Sequence, residues 1–388
     1  MIDLAAGNRL TLLKNGAEYF PALETAIDSA RREIFLESYI YEYDETGRQI
    51  GEALKRAVRR GVTVHLLLDG FGSRTLPEYF AEDLRVAGVQ LLFYRREISP
   101  WRFRRHRLRR LHRKIAVIDT RIAFVGGINV IDDMDTPHQI PPRFDYAVAV
   151  EGPLLAEIHR SAKRVWSLVA WRKIRGYRSR KQGESLRLAP CGDTEAAFVR
   201  RDNIRHRRDI ERAYLDAIAS ATEEIVIANA YFLPGRHFRQ ALIQAAARGV
   251  RVVLLLQGRV EYVLLHYASR ALYGVLLDAG IEIYSYNKSF LHAKVAVIDR
   301  RWATVGSSNI DPFSLMLALE ANIVALDGVF AGALRESLLK AIGEGAQQVA
   351  PDRWRQQSFY SRFLAWASYG MVRFLMGVAG YARRYEES

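Results

Sequence analysis

Two short runs of this sequence hold the residue types that phosphoryl chemistry needs. His112-x-Lys114-x4-Asp119 is followed by Gly126-Gly127-x-Asn129, and His292-x-Lys294-x4-Asp299 by Gly306-Ser307-Ser308-Asn309. Histidine, lysine, aspartate and asparagine all return at one offset of 180 residues. On a strand, residues i and i+2 face the same side, so each run aims an imidazole and an ammonium in one direction. Two such halves, related by a pseudo-two-fold, can bring two histidines and two lysines to one point. A phosphodiester anion needs cations around its non-bridging oxygens, and their value grows as charge develops in the transition state. It also needs a nucleophile and an acid for the departing alkoxide, and a pair of histidines supplies both.

The elements that must position these runs repeat as well. Ala26–Ala30 leading to Ile34-Phe35-Leu36 returns as Ala217–Ala221 leading to Ile225-Val226-Ile227. Gly61–Gly70 returns as Gly249–Gly258, and Gly88–Tyr94 as Gly280–Tyr286. The offset there is 192 and falls to 180 at the histidines, so the first half carries twelve extra residues between Tyr94 and His112. In the first half, helical spacing covers 17–32, 48–60 and 78–87, and strand patterns cover 33–41, 62–69, 89–94, 112–119 and 122–125. Residues 200–326 repeat the plan, and 330–347 read as a last domain helix. The alternation predicts an α/β class built of two repeats. The expected organisation is a first repeat over 1–160 with a basic insertion near 95–111, a basic connection over 161–190 and a second repeat over 191–350. A C-terminal amphipathic segment over 351–388 completes the chain.

Charge is concentrated rather than spread. The 388 residues carry a net charge of +14, yet residues 95–114 and 160–187 each hold ten Lys/Arg against one acid. Such patches meet a polyanion, either nucleic acid or an anionic membrane surface. Disorder is excluded by the 49% hydrophobic content, and a disulfide framework by the single Cys191. No signal peptide and no run of the ~18–20 apolar residues of a transmembrane helix is expected. The other seven histidines show no ligand spacing, so no metal is expected. Asp132, Asp133 and Asp135 read as a solvated loop.

With both runs in place, the sequence resembles the phospholipase D superfamily, whose signature is a doubled HxKxxxxD with a following G-[GS]-x-N. The resemblance covers about residues 10–350. Within that superfamily it is most similar to bacterial cardiolipin synthases of the shorter type, without N-terminal transmembrane helices. Phe144-Asp145-Tyr146 leading into Val150-Glu151-Gly152-Pro153, the length, the basic connection and the C-terminal segment support that narrower likeness.

The resemblance implies two pseudo-symmetric phospholipase D-like repeats, each a β-sheet flanked by helices, with one active site at their interface. It implies a catalytic set of His112, Lys114, Asp119, His292, Lys294 and Asp299. His112 would attack phosphorus to give a phosphohistidine, and His292 would protonate the departing glycerol and then deprotonate the incoming alcohol; the reverse assignment is equally open. Lys114, Lys294, Asn129 and Asn309 would bind phosphate oxygens. A downstream carboxylate in each half, Asp145 and Glu320, would orient that half's histidine. Asp119 and Asp299 end their strands and look structural. The scheme requires no cofactor.

The same phosphodiester chemistry serves lipid or nucleic acid, and the surfaces lean toward lipid. Trp101, Arg102, Phe103, Arg104, Arg105, Arg109 and Arg110 interleave aromatic and basic residues in the insertion, as Trp171 and Arg172 do in the connection. Trp favours the headgroup level and Arg favours anionic lipid. Over 360–384, Arg362, Arg373 and Arg384 recur every 11 residues, advancing about 20° per step on a helix. Leu364, Met371, Phe374, Leu375 and Val378 fall opposite. This helix either lies at a membrane interface or packs on the domain.

The resemblance therefore implies transfer of a phosphatidyl group between two phosphatidylglycerols, giving cardiolipin and glycerol, at the cytoplasmic face of a bacterial inner membrane. Anionic phospholipids are the expected partners, and no nucleic acid is expected. Three other readings stay open at this point. They are a phospholipase D-type hydrolase or other phosphatidyltransferase, a metal-independent nuclease, and a non-catalytic membrane scaffold.

Overall fold

The computed structural model describes residues 2–95, 109–134, 140–173, 188–260, 263–356 and 358–378. Most of the basic insertion, with Trp101, Arg102, Phe103, Arg104 and Arg105, therefore lies outside the described residues, as do Asp135, residues 174–187 and Arg384.

The first half runs β1 (Ala5–Lys14), α1 (Asn15–Asp28), β2 (Glu33–Ser38), α2 (Glu45–Arg59), β3 (Thr63–Asp69), α3 (Glu78–Val86), β4 (Gln90–Tyr94), β5 (Lys114–Ile118), β6 (Ile122–Gly126) and β7 (Tyr146–Glu151). Helix α4 (Leu155–Lys173) follows and runs through the 160/161 boundary expected from composition. The second half runs β8 (Thr194–Arg201), α5 (Asp209–Ser220), β9 (Glu224–Asn229), α6 (Arg236–Ala247), β10 (Arg251–Gln257), α7 (Val263–Arg270), α8 (Tyr273–Asp278) and β11 (Glu282–Tyr286). It continues with β12 (Lys294–Ile298), β13 (Trp302–Gly306), α9 (Pro312–Met316), β14 (Glu320–Leu326), α10 (Gly328–Gly345) and β15 (Ala346–Gln348). The last helices are α11 (Pro351–Arg355) and α12 (Phe359–Val378).

The repeat is visible in the strand order. From the junction outward, the first half reads β1-β7-β6-β5-β2-β3-β4 and the second β8-β14-β13-β12-β9-β10-β11, the same order with the same parallel and antiparallel pairings. Strands β1 and β8 pair antiparallel and join the two into one fifteen-stranded sheet. Strands 2–4 of the repeat are parallel because a helix crosses over between them. Gly61 and Gly249 end the corresponding crossover helices at φ +87° and +88°, a region that costs glycine nothing.

Alternating residues divide between two faces of each half-sheet. Ile34, Leu36, Leu66 and Ala116 pack under α1, α2 and α3, and Ile225, Ile227, Leu254 and Ala296 under α5, α6 and α8. The opposite faces, with Phe35, Ile115, Val117, Val226, Val295 and Val297, share a single core with α4 and α10. The strands that follow the two histidines thus run between buried layers, and all five residues of β5 and of β12 are buried.

Helix α12 carries most of the described C-terminal segment. Its small and apolar stripe Ala365, Ser368, Val372 and Met376 is buried, and the helix lies along α7. Phe363, Trp366, Met371 and Phe374 remain exposed, with Arg362 and Arg373 also at the surface. The helix both packs and presents an apolar face outward. Among the described residues, no helix is long and apolar enough to cross a membrane.

Candidate active site

The two histidines are held by the opposite halves. Immediately before each of them the chain makes a one-residue parallel bridge to the other repeat, Leu111 to Leu319 and Leu291 to Phe144. The His112 N–H then donates to the Leu319 carbonyl at 3.0 Å, and the His292 N–H to the Phe144 carbonyl at 2.9 Å. The residues that follow those carbonyls are Glu320 and Asp145. Each bridge therefore delivers a carboxylate to the histidine of the other half. His112 Nδ1 lies 2.9 Å from Glu320 Oε1, and His292 Nδ1 lies 2.6 Å from Asp145 Oδ2.

This corrects the expectation that Asp145 and Glu320 serve their own halves. The pairing is set by backbone bridges between repeats, which leave no mark in residue spacing. The same geometry explains why one carboxylate is Asp and the other Glu. A Cβ on Gly127 would stand 2.4 Å from Asp145 Oδ1, so only glycine lets that short side chain lie against the backbone. In the second half Ser307 takes the place of Gly127, and its hydroxyl donates to Glu320 Oε2 at 2.5 Å. The longer side chain clears the serine and is gripped by it. Neither role was legible from the motif, although the G-[GS] alternation marked the position.

Each lysine folds back on its own histidine. Lys114 Nζ donates to the His112 carbonyl at 2.5 Å, and Lys294 Nζ donates to that of His292. Lys294 Nζ also stands 3.7 Å from Asp145. Tyr39, which the sequence reading did not single out, meets the His112 ring edge-on at 4.8 Å between centroids and has the Lys114 ammonium 5.4 Å from its own ring. Asn129 accepts from the Ile40 N–H at 3.0 Å through Oδ1. The Asn309 Oδ1 is buried with no partner. Both asparagines are buried.

Burial governs the charges. It pushes the Lys114 ammonium down to about 7, opposed by Glu320 and reinforced by Lys294. It holds His112 below its ordinary value, partly offset by Glu320. His292 is held well below, by burial and then by Lys294 and Arg143. Burial lifts Asp145 to about 6, with Lys294 pulling the other way. Lys114 feels Lys294, and His292 feels His112 and Lys114, so the two motifs form one electrostatic site. Burial favours the neutral form of both imidazoles. With Nδ1–H donated to a carboxylate, Nε2 carries the lone pair in each.

The other expected site residues lie elsewhere. Asp119 and Asp299 sit at the far ends of β5 and β12, about 16 Å from the lysines at the strand rise. Asp119 occupies a tight turn at φ +53° and accepts from the Arg31, Arg32 and Glu33 N–H groups. Asp299 does the same at φ +49° for Thr222, Glu223 and Glu224. Both pin a hairpin to the start of the neighbouring strand. They belong to the motif but not to its reacting groups, which removes them from the catalytic set.

Asp133 is not solvated as expected. It is buried, accepts from the Gly16 N–H, and is lifted to about 7 by burial. Among the described residues no group of three or more His, Cys, Asp or Glu could hold a metal ion. Of the residues expected on a membrane surface, Trp171, Arg172, Arg362 and Arg373 are exposed. Arg109 is half-buried. Arg110 turns inward instead, 3.5 Å from the buried Asp69 and bonded to the Arg95 carbonyl, because that carboxylate needs a cation.

Comparison with known proteins bears on what such a site does. A family model described as cardiolipin synthase, phospholipase D-like domain, matches residues 23–136 and 214–341. Cardiolipin synthase B of Escherichia coli strain K12 is 38% identical over 384 residues, spanning 97% of this chain and 90% of that protein. Cardiolipin synthase A of Pseudomonas fluorescens strain Pf-5 is 32% identical over 356 residues, 90% of this chain and 72% of the other. The crystal structure of phosphatidylserine synthase from Haemophilus influenzae Rd KW20 superimposes with a TM-score of 0.70 over 99% of this chain and 97% of that one. At 13% identity it speaks to the fold alone.

Proposed function

Because the chain belongs to the cardiolipin synthase family of phospholipase D-like proteins, we propose that it is a phosphatidyltransferase joining two phosphatidylglycerols into cardiolipin with release of glycerol. The observation that carries the reading is the pair of crossed histidine–carboxylate contacts flanked by two buried lysines. The lysines and carboxylates cancel in formal charge, so an entering phosphodiester anion draws a proton onto one histidine. The other stays neutral and nucleophilic.

In the first step His112 Nε2 attacks phosphorus. A P–N bond forms, the P–O bond to glycerol breaks, and the proton on His292 Nε2 goes to the glycerol oxygen. Glu320 stabilises the phosphorylated imidazole, and Asp145 the imidazolium of His292. In the second step His292 takes the proton from the hydroxyl of a second phosphatidylglycerol, whose oxygen attacks phosphorus and displaces His112. Glu320 opposes the burial that lowers His112, which favours His112 as the nucleophile. The imidazolium of His292, deeper in positive surroundings, is the stronger acid. Lys114, Lys294, Asn129 and Asn309 hold the phosphate oxygens through both steps.

The substrate's two acyl chains stay in a bilayer, so the protein works at a membrane surface. The exposed Phe363, Trp366 and Phe374 of α12, with Arg362 and Arg373, support a peripheral seat there. The basic patches and the single cysteine suit the anionic cytoplasmic leaflet of a bacterial inner membrane. Substituting Phe363, Trp366 and Phe374 by serine should release the protein from phosphatidylglycerol vesicles; undiminished flotation would remove α12 from the interface.

The reaction is tested by products. In metal-free buffer with phosphatidylglycerol vesicles, mass spectrometry should find cardiolipin and glycerol in equal amounts. Phosphatidic acid without cardiolipin would make it a hydrolase. Cleavage of single-stranded DNA, with the lipid untouched, would overturn the lipid reading.

A further inference from the structure

A second cavity lies on the other face of the strand that carries the catalytic lysine. Side chains alternate along β5, so Arg113 turns away from His112 and Lys114 and toward α4, where Glu37 and Ser161 hold it. The cavity it borders has a volume of about 600 Å³ and opens between the end of β4, α4, the end of β8 and Leu319. Phe93, Val165, Leu168, Val169 and Leu319 give it apolar walls.

Its charge is one-sided. Eight arginines line it against one acid, Asp202. Three are occupied: Arg113 by Glu37, Arg200 by Glu157, and Arg201 by the carbonyls of Leu315, Met316 and Ala318. The other five are Arg95, Arg109, Arg160, Arg164 and Arg172, and none has a carboxylate partner among the described residues. Arg95 Nη1 and Arg109 Nε are buried and unbonded. Arg95 is held below the usual guanidinium range by burial, with Arg109, Arg172 and Arg110 adding to it. A buried, unpaired guanidinium is costly unless an anion completes it.

A free anion would satisfy these arginines and leave the apolar walls in water. A phospholipid satisfies both, with its phosphodiester on the guanidinium forks and its acyl chains along the walls. The rim allows the chains to leave, since Leu168 is 54% and Ile204 72% exposed, with Trp171 beside them on α4. We propose that this cavity is a second, non-catalytic site for one anionic glycerophospholipid, held by Arg95, Arg109, Arg164 and Arg172. The proposal rests on the lipid reading above and adds a bound lipid directly behind the nucleophile's strand.

Equilibrium dialysis of radiolabelled dihexanoylphosphatidylglycerol, below its micelle concentration, tests this on the full chain. The wild type should retain one lipid more per chain than the double variant Arg164→Gln/Arg172→Gln, or bind that lipid at least about tenfold more tightly. Both substituted residues are exposed, so an unchanged melting curve certifies the fold. Leu168→Asp, on the apolar rim, should weaken the same lipid without removing a cation. Identical isotherms for wild type and both variants would overturn the proposal. So would displacement by an equal concentration of inorganic phosphate, which would make the occupant a free anion. Cardiolipin formation, measured on the same preparations, separates the two readings. Product without the extra lipid sinks the cavity alone, and the extra lipid without product sinks the reaction alone.

Discussion

The crossed pairing makes Asp145→Asn the most informative substitution. Asp145 lies 2.6 Å from His292 Nδ1 and is almost wholly buried. The asparagine oxygen keeps an acceptor in place but loses the charge that stabilises the imidazolium. Two unit charges ~4 Å apart interact by roughly 4 kcal/mol at an effective dielectric of 20. A hydrogen bond to a charged group is worth about 1.5–3 kcal/mol. A loss of 2–4 kcal/mol in this range lowers kcat on phosphatidylglycerol by roughly 30- to 1,000-fold. With His292 as the proposed acid, the first-turnover burst from an aryl phosphodiester, whose leaving group needs no proton, should lose less than about tenfold, since that burst precedes the step in which His292 serves as base. Glu320→Gln, which weakens His112 across the interface, should be impaired on both substrates. Initial rates on phosphatidylglycerol micelles and the pre-steady-state burst of p-nitrophenolate from bis(p-nitrophenyl) phosphate decide it. Equal loss of Asp145→Asn on both substrates, with selective rescue of Glu320→Gln, would refute the assignment of roles. Losses under tenfold throughout would refute the importance of the carboxylates.

Other expectations follow from the same site. Asp145 must be ionised, so kcat should fall as pH drops through about 6. Lys114 must be protonated to hold phosphate, so KM should rise as pH climbs above about 7, with Lys114→Arg moving that limb to higher pH; a flat KM between pH 7 and 9 would contradict it. Gly127→Ala places a Cβ 2.4 Å from Asp145 Oδ1. It should cost about tenfold or more in kcat while Gly61→Ala, with nothing near its Cβ, affects stability only, by roughly 1 kcal/mol. Asp119→Ala removes the carboxylate that accepts from three N–H groups and a turn-tolerant residue, and should lower stability by about 1–3 kcal/mol with kcat within about twofold. A catalytic defect in that variant, without a stability defect, would return Asp119 to the reacting groups.

What the sequence made legible is what is local or repeated. Strands β3, β4, β5 and β6 fall within a residue or two of the expected spans, since apolar runs between glycines specify them. The histidines and lysines converge because a repeat at one offset must place equivalent residues equivalently. Contacts made between the halves were hidden. The bridges Leu111 to Leu319 and Phe144 to Leu291 involve single residues with no signature, so the partner of each histidine was assigned to the wrong half. Strand β1 was passed over although it is the piece that joins the two half-sheets through β7 and β8. Its alternation of exposed polar and inward apolar residues is short and starts before the first repeated segment. Asp133 looked like loop charge because nothing local shows that Gly16, 117 residues earlier, turns its N–H toward it.

The most direct test of the central claim is to catch the covalent intermediate. Enzyme mixed with phosphatidylglycerol and quenched within a turnover should yield a peptide carrying a phosphatidyl group on His112. The label should persist in His292→Ala if a phosphodiester with an aryl leaving group is used to load it, since that variant lacks only the acid. It should be absent from His112→Ala under the same conditions. A phosphatidyl group on His292, or a full complement of cardiolipin from either histidine variant, would contradict the account.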